Sequence, residues 1–564
     1  MSLFSPISNR SLKTRGLYLA VYLLLTIGAI SMVQPLLITL TGAMSGPYEA
    51  SAFSLYPRFL FNDSALWRRF VEAKYGGVID IYKMAWGSEN LDFYEDPPVP
   101  EPAEKEVALW AAFLQERGPL STQFAGLAFT RGSNQHAALE NVRFRNWLLA
   151  RYGGDLKRLN EEMAGDFASA SGIVPPAQNR LVLLDADTPY AKVFFEYVAG
   201  IGNAHRLCWN VGNFYRAVFL PRIFGGKIAS YNEEFGTDYR SFAEVPFASQ
   251  AEGNQAWFRF LKQVLNPAFI EFTEAGKAAF EASGMNKVDF IKSRAEAGHM
   301  RVVSIDTEFA DWAKAKGIED ARIPQAQLDW DDFQKEKGFW RWQFATQNFA
   351  QVIDEAVVQS NGLRNTFLLV VLSVGGALTV NPMAAYALSR FRLKQSYQVL
   401  LFFLATIAFP GEVAMIPNFL QIKELGMINT FWALTIPGLV NGFSIFLLKG
   451  FFDSLPRELY EAADIDGASE WQVFWGITMN LSKPILAVIA LGAFTSAYGA
   501  FMFAMILAPN PEMWTLMVWI YQLQQSAGSG IVYASVLITA LPLLVIYICT
   551  QNVIMRGIIV PSEK

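Results

Sequence analysis

Six runs of apolar residues, separated by one long polar interval, set the pattern of this chain. The runs are residues 17–41, 364–389, 396–420, 430–450, 484–508 and 531–551. A helix crossing a hydrocarbon core of about 30 Å needs on the order of 20 apolar residues at about 1.5 Å of rise each. Every run has that length, so the pattern predicts six membrane-spanning helices. The first, Leu17 to Thr41, follows Arg10, Lys13 and Arg15, as a secretory signal would. It is longer than the roughly 7–15 apolar residues of a signal, and we read it as an uncleaved first span. Leu516–Leu523 is apolar but too short to cross, and predicts a re-entrant or interfacial turn. Residues 46–360 are polar, charged and rich in Trp and Tyr, the pattern of a soluble domain.

Lys and Arg in short loops and tails orient the spans. The N-terminal tail carries Arg10, Lys13 and Arg15, the loop after the second span carries Arg390, Arg392 and Lys394, and the C-terminal tail carries Arg556 and Lys564. The connection between the last two spans has none, and the one near Lys423 pairs that Lys with Glu424. This bias places both termini and the Arg390 loop in the cytoplasm, with 46–360 and 509–530 outside. The predicted division is a cytoplasmic tail at 1–16, a first transmembrane helix at 17–44 and an extracytoplasmic domain at 45–360. A membrane core follows at 361–555, with a second cytoplasmic tail at 556–564. The expected fold class is an α-helical polytopic membrane protein with a large, mainly α-helical insertion between helices 1 and 2.

Composition agrees: the chain is 52% hydrophobic and 17% charged, against about 25% charged for an average soluble protein. A net charge of −5 gives no basic patch for nucleic acid. Cys208 and Cys549 lie far apart, and His136, His205 and His299 lack metal-ligand spacing, so neither a disulfide framework nor a metal site is expected.

The most informative cytoplasmic segment is 453–480. Ser454 is a candidate N-cap with Pro456 in the first turn, and Leu455, Leu459, Ala462 and Ala463 recur at helical spacing as one apolar face. Gly467 can close this helix in a left-handed conformation. Ser469 and Gln472 then read as a capping box that opens a second helix, whose Trp471, Phe474 and Trp475 are available to a partner or to the membrane interface. On pattern alone this is an interfacial helical hairpin or a docking element.

The residues go further. Glu461-Ala462-Ala463, three residues, Gly467, nine residues and Ile477 make an arrangement that resembles the cytoplasmic EAA signature of permease subunits in binding-protein-dependent ABC importers. Asn365-Thr366-Phe367, Pro382 to Phe391, Ile416 to Thr430 and Ala534 to Pro542 look like the maltose-type carbohydrate permeases. The likeness covers residues 10–44 and about 350–564. It implies a six-helix permease fold and a coupling helix that docks on a separate ATPase subunit through Glu461, Ala462, Ala463, Asp466 and Gly467. It further implies two ATPase subunits, a second permease subunit, an extracytoplasmic solute-binding protein and membrane lipid as partners. No cofactor would be bound by this chain, ATP and Mg being held by the ATPase; no G-x-x-x-x-G-K-[ST] motif occurs in it. The chain departs from the family at Asn480, where a proline is usual, and at Tyr498-Gly499, where a Trp-Asn pair is common. Polar groups within the spans, Asn381, Asn441, Thr495, Ser496 and Tyr498, are candidates either for the substrate pathway or for helix–helix hydrogen bonds.

In the long polar region three segments look alike: Trp67 to Gly76, Phe144 to Gly153, and Phe224-Gly225 followed by Tyr231 to Gly236. The shared unit is an aromatic helix ending at Tyr-Gly or Phe-Gly, then a second helix ending at Gly. Such units resemble peripheral segments of some sugar-acting barrel hydrolases, with no pair of catalytic carboxylates attached. Their aromatics either fill an α-rich core or face outward toward sugar rings or a binding protein. Trp330 to Phe349 predicts an amphipathic helix on the membrane surface. A membrane-anchored glycan-binding or glycan-hydrolysing protein acting through the insert is the alternative function, although six spans and a coupling loop exceed what an anchor needs. A sensor would require a cytoplasmic output domain, and the loops are too short for one.

Overall fold

The structure is a computed structural model. It describes all residues except 1–11, 50–53, 119, 121–124, 127–138, 166, 168–172, 174–187, 202–205, 248–254, 359, 392–393, 408–410 and 558–564. Arg10, His136, His205, Arg392 and Lys564, named above, lie outside the described residues. The chain divides into two units, Met1–Asn348 with Gly528–Gly530, and Phe349–Ala527 with Ile531–Lys564.

The first unit begins with α1 (Leu12–Met44), an uninterrupted helix with Pro35 inside it. None of its most apolar 18-residue window is buried, so the side chains stand open on all sides, as lipid or a partner helix requires. Beyond it the chain folds into repeated helix pairs. These are α2 (Asp63–Lys74) with α3 (Ile79–Trp86), and α4 (Leu139–Arg151) with α5 (Leu156–Met163). The third pair is α6 (Val211–Phe214), which continues through a π-helical turn to Ile223, with α7 (Ile228–Phe235).

Each pair turns on an aromatic residue and two glycines: Tyr75-Gly76-Gly77, Tyr152-Gly153-Gly154 and Phe224-Gly225-Gly226. All six glycines have φ between 59° and 79°. One bond closes each turn, from Gly77 N–H to the Glu72 carbonyl at 2.9 Å, Gly154 to Leu149 at 2.9 Å, and Gly226 to Pro221 at 2.7 Å. The second helices end in left-handed residues as well: Gly87, Gly236 and, without a glycine, Ala164. Asn160 and Asn232 hold the chain seven residues on. Their side chains bond both the N–H and the carbonyl of Phe167 (2.9 and 2.9 Å) and of Tyr239 (3.1 and 2.8 Å).

The repeated aromatics are core. Trp67, Phe70, Tyr75, Tyr82 and Tyr231 are buried in one large cluster, and the second pair makes a smaller core of its own around Phe144, Leu148 and Phe194. The reading of an α-rich core therefore holds for them. Two short antiparallel pairs were not indicated by the sequence, β1 (Ala125–Gly126) with β2 (Leu207–Cys208), and β3 (Ile270–Phe272) with β4 (Met300–Val302).

Helices α8 (Ile305–Ala315), α9 (Gln325–Lys335) and α10 (Lys337–Val352) follow. The buried carboxylate of Asp329 on α9 gathers Lys74 Nζ (3.0 Å), Trp86 Nε1 (2.8 Å), Gln325 Nε2 (2.7 Å) and the Tyr75 hydroxyl. A buried charge so fully partnered ties three elements together. The stretch from Trp330 to Phe349 is not one surface-lying face. Phe333, Trp340 and Phe344 are buried in the large core, while Phe339 and Trp342 are exposed.

The second unit holds the other apolar helices. α11 (Gly362–Arg390) and α21 (Ser529–Gly557) each contain a segment long and apolar enough to cross a membrane. The predicted third run is α12 (Ser396–Ile407) and α13 (Gly411–Glu424). The fourth is α14 (Phe431–Thr435) with a 3₁₀ turn, then α15 (Gly442–Asp453), bent by 50° at the break. With α1, three helices among the described residues meet the length criterion, or five when each bent pair is one span. α11 packs along α15 and α18 (Lys483–Tyr498). Asn365 and Thr366 near its start hold the connection that precedes the last helix. Asn365 Nδ2 donates to the carbonyls of Glu512 (2.7 Å) and Trp514 (3.0 Å), and Thr366 Oγ1 accepts from Leu516 N–H (2.8 Å). After Gly499 a short helix α19 (Phe501–Leu507) and then α20 (Leu516–Ser526) complete the connection to α21.

Candidate functional site

Between α15 and α18 the chain forms two short helices whose shape follows from their caps. Ser454 ends α15, its hydroxyl bonding the Phe451 carbonyl at 2.6 Å, instead of starting the next helix. Arg457, without a side-chain cap, precedes α16 (Glu458–Ile465). The end of α16 is a Schellman turn. Ala468 N–H reaches the Ala463 carbonyl at 2.9 Å and Gly467 N–H reaches Asp464 at 3.2 Å. Gly467 sits there at φ +73°, which a side-chain-bearing residue rarely adopts. The Ser469–Gln472 capping box is present and opens α17 (Glu470–Gln472), which runs on as a π-helical segment and a last turn to Leu481. The chain then bends by 84° into α18.

α16 has two faces. Tyr460 and Ala463 point inward and join Tyr386, Phe452, Val473 and Phe474 in a buried cluster. Glu458, Glu461, Ala462 and Ile465, at helical i, i+3, i+4 and i+7 spacing, are exposed on the other side, Ile465 to 86%. The expected single apolar face of Leu455, Leu459, Ala462 and Ala463 is therefore split. Ala463 is core, Leu459 and Ala462 are outside, and the large inward residue is Tyr460. Asp464 and Asp466 are also exposed, so the outer surface combines carboxylates with an apolar knob at Ile465.

Polar ties fix this hairpin and the end of α15 to the last turns of α11. Tyr386 donates to Glu470 at 2.7 Å, Ser389 to Asp453 at 2.6 Å, and Arg390 to the Phe452 carbonyl at 3.2 Å. The Arg390 guanidinium also stands over the Tyr460 ring, and Tyr460 shares a 3.0 Å hydrogen bond with Thr478. In the sequence Arg390 stands out only as a topological charge, and nothing marks Tyr386 and Glu470 as partners. The available signal was the i, i+4 spacing of Tyr386 and Arg390, which places both on one face of α11.

The polar residues within the apolar helices are distributed differently. Asn381 is fully buried, donating to the carbonyls of Ala377 and Leu439 (both 3.1 Å) and accepting from Asn441 N–H (2.9 Å). Asn441 caps α15 through Ser444 N–H. Together these two asparagines brace the break between α14 and α15. Tyr498 is buried and donates to the Thr539 carbonyl at 2.9 Å. Thr495 and Ser496 lie exposed on α18, with the Thr495 hydroxyl returned to the Leu491 carbonyl at 2.9 Å.

Residues 381–558 match the family profile described as binding-protein-dependent transport system inner membrane component. The galactooligosaccharides transport system permease protein GanQ of Bacillus subtilis (strain 168) is 35% identical over 206 residues, covering 36% of this chain and 72% of GanQ. This chain belongs to that permease family. The maltodextrin transport system permease protein MdxG of the same organism is 29% identical over 222 residues, covering 38% of this permease and 80% of MdxG. Among solved structures, a bacterial ABC transporter involved in the import of the acidic polysaccharide alginate is 26% identical. It covers 36% of this permease and 78% of the solved chain, with a TM-score of 0.33. The permease is thus an inner-membrane component of an ABC importer, a transport subunit and not an enzyme. Its matched segment contains α16 and every polar tie from Tyr386 onward, while residues 45–360 lie outside the match.

Proposed function

We propose that this permease carries a sugar or oligosaccharide across the cytoplasmic membrane, driven by a separate ATPase subunit that docks on the outer face of α16. The observation that carries this reading is the hairpin itself: an exposed Glu461–Ala462–Ile465 face on a short helix whose inward Tyr460 lies against the Arg390 guanidinium of α11, with the following helix bonded to α11 through Tyr386 and Glu470. A helix fixed in this way moves as one body with the span it is tied to, so closure of the ATPase pair would tilt α11 and reorient the pathway. Glu461, Ala462 and Asp466 supply the docking surface, Ala463 seats the helix, and Gly467 sets its end. Galactooligosaccharide and maltodextrin relatives support a carbohydrate substrate.

In this reading the chain has six spans, with both termini and this hairpin in the cytoplasm and 45–360 outside, and the Lys and Arg bias of the short loops and tails supports it. The working assembly contains two ATPase subunits, a second permease and a solute-binding protein. Of the candidate pathway residues, the exposed Thr495 and Ser496 are the ones we assign to substrate contact, whereas Asn381, Asn441 and Tyr498 hold helices in position. Reconstitution with the partner subunits in proteoliposomes tests the reading directly. ATP-dependent uptake of a labelled oligosaccharide is expected. Uptake that proceeds without the ATPase, or ATP hydrolysis that no oligosaccharide stimulates, would contradict it.

A further inference from the structure

The inserted domain contains a cleft of about 600 Å³ that the transport reading leaves unused. That volume lies within the roughly 300–1,000 Å³ of small-molecule sites. Asp306, in the first turn of α8, is fixed by three donors, the backbone N–H groups of Val211 (3.0 Å) and Gly212 (2.9 Å) and the Ser304 hydroxyl (2.7 Å). The backbone comes this close because position 212 is glycine. A Cβ there would stand 2.9 Å from Asp306 Oδ2 and 3.0 Å from Phe247. Oδ2 accepts only one of these bonds and keeps acceptor capacity.

Two guanidinium groups line the same cleft. Arg216 spends one N–H on Asn213 Oδ1 at 3.0 Å, and burial, then the neighbouring Arg322, push its pKa down to about 10. Arg322 reaches the Ala243 carbonyl at 3.5 Å. Neither arginine enters a salt bridge among the described residues, where the paired arginines are others. Phe247 is the one aromatic ring of the lining, held against Tyr215 at 5.5 Å.

Fixed acceptor, forked donors and one ring face, in a single recess, suit a ligand that presents hydroxyls on its edge and C–H groups on its face. The lining has five carboxylates to three basic groups, which disfavours a polyanion. An apolar ligand would leave these polar groups unpaired. We infer that this cleft binds a neutral saccharide, with Asp306 accepting from its hydroxyls, Arg216 and Arg322 donating to them, and Phe247 beneath the ring. The inference does not depend on whether the permease transports that sugar.

The test uses the full chain in lipid nanodiscs, without ATPase or nucleotide, so its result is independent of coupling. Maltotriose and galactobiose are the neutral probes and trigalacturonate the anionic one, read by calorimetry and saturation-transfer NMR. A neutral probe is expected to bind, and Arg322→Ala, at the exposed rim, to weaken it about tenfold with an unchanged melting temperature. Arg216→Gln is expected to do the same. Three results would each overturn the inference: no binding of either neutral probe, tighter binding of trigalacturonate, or wild-type affinity in both variants.

Discussion

The hydroxyl of Tyr386 donates a 2.7 Å hydrogen bond to the carboxylate of Glu470. It joins the last turns of a long apolar helix to the helix that follows the proposed docking surface. A hydrogen bond to a charged group is worth about 1.5–3 kcal/mol. If this tie carries motion, Tyr386→Phe should leave the assembled complex intact while weakening coupling. Substrate-stimulated ATP hydrolysis, relative to basal, is expected to fall about threefold or more, roughly 0.7 kcal/mol of coupling. An unchanged ratio in proteoliposomes would remove Tyr386 from the path.

The repeat units make a second, separate prediction. Asn160 and Asn232 each satisfy two backbone groups of a returning loop, and the equivalent place in the first unit is Lys83. Asn232→Ala strands a donor and an acceptor in a half-buried turn, at about 1–3 kcal/mol. Hydrogen exchange at Thr237–Tyr239 should accelerate accordingly, with Lys83→Ala nearly silent in its own unit. Equal effects at both positions would mean the asparagine clamp is unimportant.

A pH effect follows from Glu72. Its carboxyl is buried, and the Arg69 contact at 3.5 Å is too long to offset that, so burial raises its pKa from the usual 4.5 to about 6. A pKa raised in the folded state gives stability that is full below about pH 4.5 and is lost as pH rises through 6. The loss is about 2 kcal/mol, an order-of-magnitude figure. Glu72→Gln should therefore gain stability relative to wild type on going from pH 4 to pH 7.5. Melting curves of both proteins across that range decide it, and a difference that stays flat or reverses would be contrary to the expected sign.

Much of this was legible in the sequence because membrane spans and helix caps are local. The α11 and α21 boundaries follow from apolar length, and the Gly467 turn and Ser469–Gln472 box follow from cap chemistry alone. What was not legible depended on contacts between distant residues. Ser454 looks like an N-cap until Phe451 is seen to take its hydroxyl. Ala462 and Ala463 look equivalent until Tyr460 is found to anchor one side of the helix in the core. Asn381 reads as either a pathway residue or a helix–helix tie, and its bonds to Leu439 and Asn441 show the tie. The cleft around Asp306 draws residues from separate segments, between Asn210 and Ile323, and no spacing in the sequence announces it.

The α16 face is proposed to couple this permease to an ATPase. The most direct measurement is oligosaccharide uptake and stimulated ATP hydrolysis by the reconstituted importer carrying Glu461→Lys or Gly467→Pro. Glu461 is exposed, so its charge reversal should leave the fold intact and act on the docking surface. Gly467→Pro removes the N–H bonded to Asp464 and the φ of +73° that ends the helix. Both variants are predicted to lose coupled transport while the permease still inserts in the membrane. Full uptake and stimulation by both would contradict the account.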